Sequence, residues 1–272
     1  MKLQVVGARQ GALWVRNAFT LFFKRPMAFA GLFGACLFFV LVLNLLPFVG
    51  PLLLLAALPL GSLAFMIATR TALEGGVPRP SVLFDTLRGP RQRRIALLQL
   101  GVVYAALTVA VMLLADWVDD GALEAMLQTV AGGKATPEAM GEALSDPKLE
   151  LGMLVRFGLA GLLSVPFWHA PALVFWGDHS ATKALFFSTV ACWRNKAAFS
   201  AYSLAWVAVI LLFAVLVNLV FVLLGQVQLV ALATMPATLI FSTVFYVSLY
   251  FSFADCFSMA PDAEPPAPPE SP

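Results

Sequence analysis

The chain has 272 residues, of which 61% are hydrophobic and 12% are charged. Because soluble domains are roughly 45–50% apolar, this composition excludes an ordinary soluble fold and predicts an all-α polytopic membrane protein. The formal net charge is +2, and we expect no nucleic-acid partner. Cys36, Cys192 and Cys256 have neither zinc-site nor disulfide spacing, so we expect no metal and no other cofactor.

Residues 9–25 precede the first apolar run and have the pattern of an amphipathic helix. The apolar positions on one face are Trp14, Val15, Ala18, Leu21 and Phe22. The other face carries Arg9, Arg16, Asn17, Thr20 and Lys24. The pattern predicts an interfacial helix lying on the membrane. Four tryptophans are expected to anchor the protein at the interface, namely Trp14, Trp117, Trp176 and Trp193.

Two apolar runs follow, and each has about the 20 residues needed to cross a bilayer. They predict span 1 over 27–46, as a retained signal anchor, and span 2 over 51–69. The loop after them is basic and contains Arg70, Arg79, Arg88, Arg91, Arg93 and Arg94. Within this loop Pro80 opens a second, short interfacial helix. Span 3 is predicted over 95–115.

The segment 116–150 is hydrophilic and acidic and predicts two small helices over the membrane surface. Its first carboxylates, Asp116, Asp119 and Asp120, could bind a divalent cation. We expect instead that they are solvated at the start of a helix. Span 4 follows over 151–176, where Pro166 and Pro171 interrupt it.

The last third predicts a third interfacial helix over 180–193, span 5 over 199–224 and span 6 over 229–253. The fold class is therefore a membrane helical bundle of six spans, arranged as three hairpins with cytosolic interfacial helices. A single integral membrane domain occupies 1–260. The tail 261–272 is rich in proline and predicted to be disordered.

The distribution of basic residues predicts the orientation. Of the 17 lysines and arginines, fourteen flank the spans on one side. Lys134, Lys148 and Arg156 remain for the other side. By the positive-inside rule both termini are cytosolic, and the acidic segment faces the periplasm.

Three units with an amphipathic helix, a basic cluster and two spans begin near residues 11, 80 and 180. The first and third align locally, because residues 23–29 match residues 193–199 in pattern. Parallel repeats of this kind predict hairpins packed about an axis along the membrane normal. The alternative is that the two units look alike only because both are rich in apolar residues.

A resemblance to a known family rests on Ala170-Pro171-Ala172-Leu173, followed by Ala184-Leu185, Ser188 and Trp193-Arg194-Asn195. Here the chain resembles a family of multi-pass inner-membrane proteins of unknown function from proteobacteria. It is also distantly similar to the membrane domain of some glycerophosphodiester phosphodiesterases. The resemblance implies a bacterial inner membrane and about six spans, and it carries no catalytic residues.

Two further motifs have a functional and a structural interpretation. His169, with Pro166 and Pro171, could line a transport path, because proline leaves carbonyl groups without helical partners. The alternative is a neutral histidine bonded to a neighbouring helix. Asp178-His179-Ser180 has the residue types of a hydrolase triad, but consecutive residues rarely converge in that geometry. Asp178 or Ser180 is expected to cap a helix instead.

The leading functional hypothesis is a non-enzymatic membrane protein that binds lipid headgroups or scaffolds partners, either other inner-membrane proteins or further copies of itself. The candidate contact residues are Arg16, Lys24, Arg25, Arg91, Arg93, Arg94, Arg194 and Lys196. Each cation near an anionic surface contributes about 1 kcal/mol. The alternative is a carrier for an apolar or amphipathic small molecule, using the proline-kinked span 4.

Overall fold

The computed structural model describes residues 1–132 and 136–258. Lys134 and the tail predicted over 261–272 lie outside the described residues. The helices are α1 (Arg9–Lys24), α2 (Pro26–Asn44), α3 (Val49–Leu73), α4 (Val82–Asp85), α5 (Arg91–Asp119), α6 (Ala122–Ala131), α7 (Pro137–Leu144), α8 (Pro147–Phe167), α9 (Ala170–Gly177), α10 (Ala181–Arg194), α11 (Lys196–Leu223) and α12 (Val230–Cys256). Two short strands, β1 (Lys2–Leu3) and β2 (Phe257–Ser258), pair antiparallel.

Within the described part of the chain, six segments are long and apolar enough to cross a membrane. They are α2, α3, α5, α8 with α9, α11 and α12. This confirms the predicted all-α bundle of six spans. The start of the chain and the end of α12 lie at one end of the bundle, because β1 pairs with β2. We call this end, with the segments 74–90 and 178–195 that contain α4 and α10, the basic end, and the opposite end the acidic end.

The buried core lies mainly in the half of the bundle nearest the basic end. On α3 most of the buried residues lie between Leu63 and Ala72, and on α11 the buried residues are Ala198, Tyr202 and Trp206. Toward the acidic end, α2 and α11 expose large apolar side chains such as Phe38 and Leu212. Lipid tails solvate such side chains, so the outer halves of these helices need no protein partner.

Helix α1 packs between α11 and α12, which contact each other far less than either contacts α1. Its Trp14 is completely buried. At Gly11 the backbones of α1 and α11 approach so closely that a Cβ atom would overlap the carbonyl oxygen of Ala198. The amphipathic pattern was therefore interpreted correctly as a helix, but the predicted placement was wrong, because the apolar face packs on protein. Near the basic end α1 also separates the fifth and sixth spans.

The other two predicted interfacial helices differ in size. The one opened by Pro80 is only the four-residue α4, whereas α10 has 14 residues. A local match between the first and third units survives in the backbone. Arg25 separates α1 from α2, and Asn195 separates α10 from α11. These two residues occupy equivalent positions in the aligned stretches 23–29 and 193–199.

Candidate functional site

The N-terminal segment is fixed to the rest of the basic end by two polar side chains. The buried Asn195 accepts a hydrogen bond from the Val6 backbone N–H at 2.8 Å and donates to the carbonyl oxygens of Gln4 and Ala191, both at 3.0 Å. Residues 4–6 lie outside any helix, so their backbone groups have no helical hydrogen bonds. The Asn195 amide supplies hydrogen bonds to two of these groups instead. Asn195 thereby joins the chain start to the junction of α10 and α11.

Asp255 makes the second connection, at the end of α12. Its Oδ2 accepts hydrogen bonds from Gln10 Nε2 at 2.6 Å and from Trp14 Nε1 at 2.7 Å. Hydrogen bonds to a carboxylate are roughly twice as strong as neutral ones. The prediction that Trp14 is an interfacial anchor was wrong, because its indole lies inside the protein. Trp117 and Trp193, in contrast, are 79% and 74% exposed.

Six of the eight predicted contact cations are exposed, namely Arg16, Lys24, Arg91, Arg94, Arg194 and Lys196. Within residues 1–132 and 136–258 none of these six forms an ion pair; the ion pairs there involve Arg70, Arg88, Arg93, Lys148 and Arg156. The Lys196 ammonium lies 5.5 Å from the centre of the Trp193 ring, an exposed contact that leaves its charge accessible.

The other two cations have intramolecular partners. Arg93 Nη2 and Nε donate to Asp178 Oδ1 at 2.8 and 3.2 Å, and the guanidinium lies 5.2 Å from the centre of the Phe175 ring. Arg25 Nη2 donates to the Gly75 carbonyl at 2.9 Å. Both side chains fix loops of the basic end, so they are less available to an external anion than the other six.

The acids described at the basic end are all engaged. Glu74 pairs with Arg70, Asp85 with Arg88 and Asp178 with Arg93. The remaining one, Asp255, accepts from Gln10 and Trp14. The six exposed cations therefore have no acidic partner among the described residues, and we call them the cation set.

Asp178-His179-Ser180 was expected to cap a helix, and the structure agrees with this only in part. Asp178 pairs with Arg93, and His179 packs on the Phe187 ring with 5.3 Å between ring centres. Burial and nearby positive charge, from the N-terminus and Lys183, lower the pKa of His179 below its ordinary value. Ser180 occupies the N-cap position of α10, but its side chain makes no capping hydrogen bond.

The break in span 4 is closed by one hydroxyl group. Ser188 Oγ accepts a hydrogen bond from the His169 backbone N–H at 3.0 Å and donates to the Val165 carbonyl at 3.0 Å. The Cys192 thiol donates to the same carbonyl, with a distance of 3.7 Å between sulfur and oxygen. Burial raises the pKa of this thiol to about 12, so it stays protonated. Side chains of α10 thus replace backbone hydrogen bonds between α8 and α9.

His169 itself is completely buried. Its Nε2 lies 3.2 Å from Ser252 Oγ, and its ring packs against Phe199, Phe253 and Phe257. Its Nδ1 has no partner within the described chain. The cleft between α11 and α12 reaches the neighbouring Trp168 but is not lined by His169, Pro166 or Pro171.

The acidic end contains a buried ion pair that was not predicted. Arg156 Nη2 binds Asp116 at 2.6 Å and Asp119 at 3.1 Å, and Asp119 is only 1% exposed. The expectation that these acids start a helix was wrong, because they lie in the last turn of α5. Carboxylates are unfavourable there, and Arg156 offsets this. Beside them, the Lys148 ammonium holds the pKa of the exposed Asp120 carboxyl below its ordinary value.

The chain is 32% identical over 272 residues to a protein of Burkholderia thailandensis named a probable inner membrane protein, and the match covers 98% of both chains. This chain belongs to the same inner-membrane protein family. No family model matches the sequence, and no solved structure matches it.

Membership of this family agrees with the predicted bacterial inner membrane and with the six spanning helices. Which end of the bundle faces the cytosol stays a prediction from the distribution of lysine and arginine. Among the described residues, no three histidine, cysteine or acidic side chains lie together as metal ligands.

Proposed function

We propose that this inner-membrane protein is not an enzyme and binds anionic lipid headgroups at its basic end. One observation carries the proposal: six exposed cations lie at an end whose described acids are already engaged. The tail outside the described residues adds Asp262, Glu264 and Glu270, which are outnumbered by the cation set. Uncompensated cations beside a bilayer attract lipids whose headgroups carry a net negative charge.

The backbone at the basic end is held in place by hydrogen bonds. This supports a headgroup site of defined geometry, and not only a general attraction of anions by positive charge. Arg194 and Lys196 flank Asn195, which is buried and makes three hydrogen bonds. Arg91 and Arg94 lie in the first turn of α5, next to Arg93 and its bond to Asp178. Because neighbouring residues are held in place, binding a headgroup would order only the cationic side chains themselves.

The expected likeness to the membrane domain of glycerophosphodiester phosphodiesterases fits this proposal. The stretch that carries the likeness ends at Trp193-Arg194-Asn195. The likeness and the headgroup role are both predictions from residues at the same junction.

Thermal stabilisation by added lipid tests the proposal. The purified protein is titrated in neutral detergent with phosphatidylglycerol or phosphatidylcholine of equal chain length. Preferential binding to the folded state raises the melting temperature, so we expect a larger rise with phosphatidylglycerol. The difference should disappear in the R194E/K196E variant and persist in the charge-conserving R194K/K196R variant. Equal stabilisation of the wild type by both lipids would contradict headgroup selectivity.

A carrier for an apolar or amphipathic molecule is the second candidate. The cleft between α11 and α12 favours it, because its lining includes Trp168 at the break in span 4. His169, however, is packed among three phenylalanine rings. A carrier would therefore need α8 and α9 to move. If the protein instead scaffolds partner proteins or self-associates, we expect another protein, and no selected lipid, to remain bound when it is extracted from the membrane.

A further inference from the structure

Helix α10 exposes two large aromatic rings on the side that faces away from the bundle. Its inner side packs on α8 and α9, and the buried residues on it are Ala181, Ala184, Ser188, Ala191 and Cys192. On the outer side Phe186 and Trp193 are 63% and 74% exposed. A helix with a packed inner side and an aromatic outer side presents a surface for a further apolar partner.

The outer side of α10 is divided into two lines of side chains. At about 100° per residue, Phe186 and Trp193 lie within about 20° of each other around the helix axis, and so do the exposed Lys183 and Arg194. We call the first pair the aromatic line and the second pair the cation line. The two lines are about 80° apart, and both point away from Ser188. This division is typical of a helix in a membrane interface, with rings toward the hydrocarbon and charges toward the headgroups.

Hydrogen bonds on the inner side fix the level of α10 relative to the bilayer. Ser188 Oγ bonds to the His169 N–H and to the Val165 carbonyl, and the Cys192 thiol donates to the same carbonyl. Val165 lies near the end of α8, whose 21 residues extend over about 31 Å and match the hydrocarbon thickness of about 30 Å. Helix α10 therefore crosses span 4 at the boundary between hydrocarbon and headgroups.

Both ends of α10 are connected closely to membrane-spanning helices. Only residues 178–180 separate it from α9, and only Asn195 separates it from α11. A helix connected in this way stays at the bilayer surface, so lipid is always within reach of its outer side. A soluble partner protein would first have to displace that lipid.

We propose that the outer side of α10 docks into the membrane interface, with the aromatic line in the hydrocarbon boundary and the cation line among the headgroups. Ser188 and Cys192 lie on the inner side of the same helix, so this docking also keeps their hydrogen bonds to the break in span 4 formed. The aromatic line needs an apolar boundary and no anionic lipid. The inference is therefore independent of the proposed headgroup role.

Cysteine labelling tests the depth of the two lines. F186C and K183C are introduced separately into the full chain, which is reconstituted in nanodiscs of phosphatidylcholine and treated with a membrane-impermeant maleimide. Fragment mass spectra measure the modification at residue 186 or 183. We expect F186C to react about ten-fold more slowly than K183C until the lipid is dissolved in sodium dodecyl sulfate. Equal rates in nanodiscs would overturn the proposal, because the aromatic line would then be open to water.

Hydrogen exchange tests the connection to span 4 in the same nanodiscs. F186N/W193N makes the aromatic line polar, and the peptide with the His169 amide should then exchange about ten-fold faster, because α10 separates from the break more often. F186L/W193F keeps the line apolar and is the control, with exchange equal to that of the wild type. If the double variant is not recovered, F186N alone gives the same comparison. Unchanged exchange in the polar variant, at wild-type monodispersity, would overturn the connection.

Discussion

The indole nitrogen of Trp14 donates a hydrogen bond to the Asp255 carboxylate at 2.7 Å, joining the first helix of the chain to the end of the last. Together with the pairing of β1 and β2, this bond makes α1 a part of the bundle. Because α1 separates α11 from α12, the same contact also maintains the cleft.

Replacing Trp14 by phenylalanine should destabilise the protein. W14F removes one donor to Asp255 and leaves a gap in the core, for which we expect a loss of about 1–3 kcal/mol in the free energy of unfolding. Unfolding by a denaturing detergent, followed by circular dichroism, measures it. W193F, at a 74% exposed residue, is the control and should change stability by less than about 0.5 kcal/mol. Equal effects of the two substitutions would argue against a packed α1.

Gly11 provides an independent test of the α1–α11 contact. A Cβ atom there would overlap the Ala198 carbonyl, so G11A should cost about 1–3 kcal/mol through overpacking. G34A is the control, because no atom lies within 4 Å of a Cβ built at Gly34. Alanine favours helix over glycine, so G34A should be neutral or stabilising by up to about 1 kcal/mol. Melting temperatures of the two variants in the same detergent give the comparison.

Ser188 tests how the break in span 4 is stabilised. S188A leaves the His169 N–H and the Val165 carbonyl without the bridging hydroxyl. We expect a loss of about 1–3 kcal/mol, because buried backbone groups lose a hydrogen bond. S200A, at an exposed serine on α11, should have almost no effect. If S188A unfolds at the same detergent concentration as wild type, water or another side chain must satisfy these groups.

Arg156 tests the ion pair at the acidic end. R156Q removes the partner of Asp119, which is 1% exposed, and breaking a buried pair in this way costs about 3 kcal/mol. K148Q breaks the ion pair between Lys148 and Asp120, and both of these side chains are mostly exposed. We therefore expect no measurable change in the free energy of unfolding from K148Q. Denaturing-detergent titrations of the two variants should therefore differ. Similar curves would mean that Asp119 is hydrated.

Much of the fold was predictable from the sequence, because the bilayer requires about 20 apolar residues for each span. The interruption of span 4 was also predictable, because proline at 166 and 171 lacks the N–H needed for a helical hydrogen bond. The alignment of 23–29 with 193–199 also marked two real helix junctions, at Arg25 and Asn195.

The placement of α1 was not predictable from its own pattern. An amphipathic face that seeks lipid has the same residues as one that seeks a groove in a protein. The deciding partner of Trp14 is Asp255, 241 positions later in the chain. Arg93 and Arg156 illustrate the same limit. A positive charge near a span end predicts orientation, but only the fold brought Asp178 and Asp119 within reach.

The central claim is selection of anionic lipids by the basic end. The most direct measurement is native mass spectrometry of the protein extracted with its surrounding membrane in polymer discs, comparing retained lipids with the bulk membrane. We predict several-fold enrichment of one anionic class in the wild type, loss of that enrichment in R194E/K196E, and its preservation in R194K/K196R. Retained lipids of bulk composition in the wild type, or enrichment that survives the charge reversal, would contradict the account.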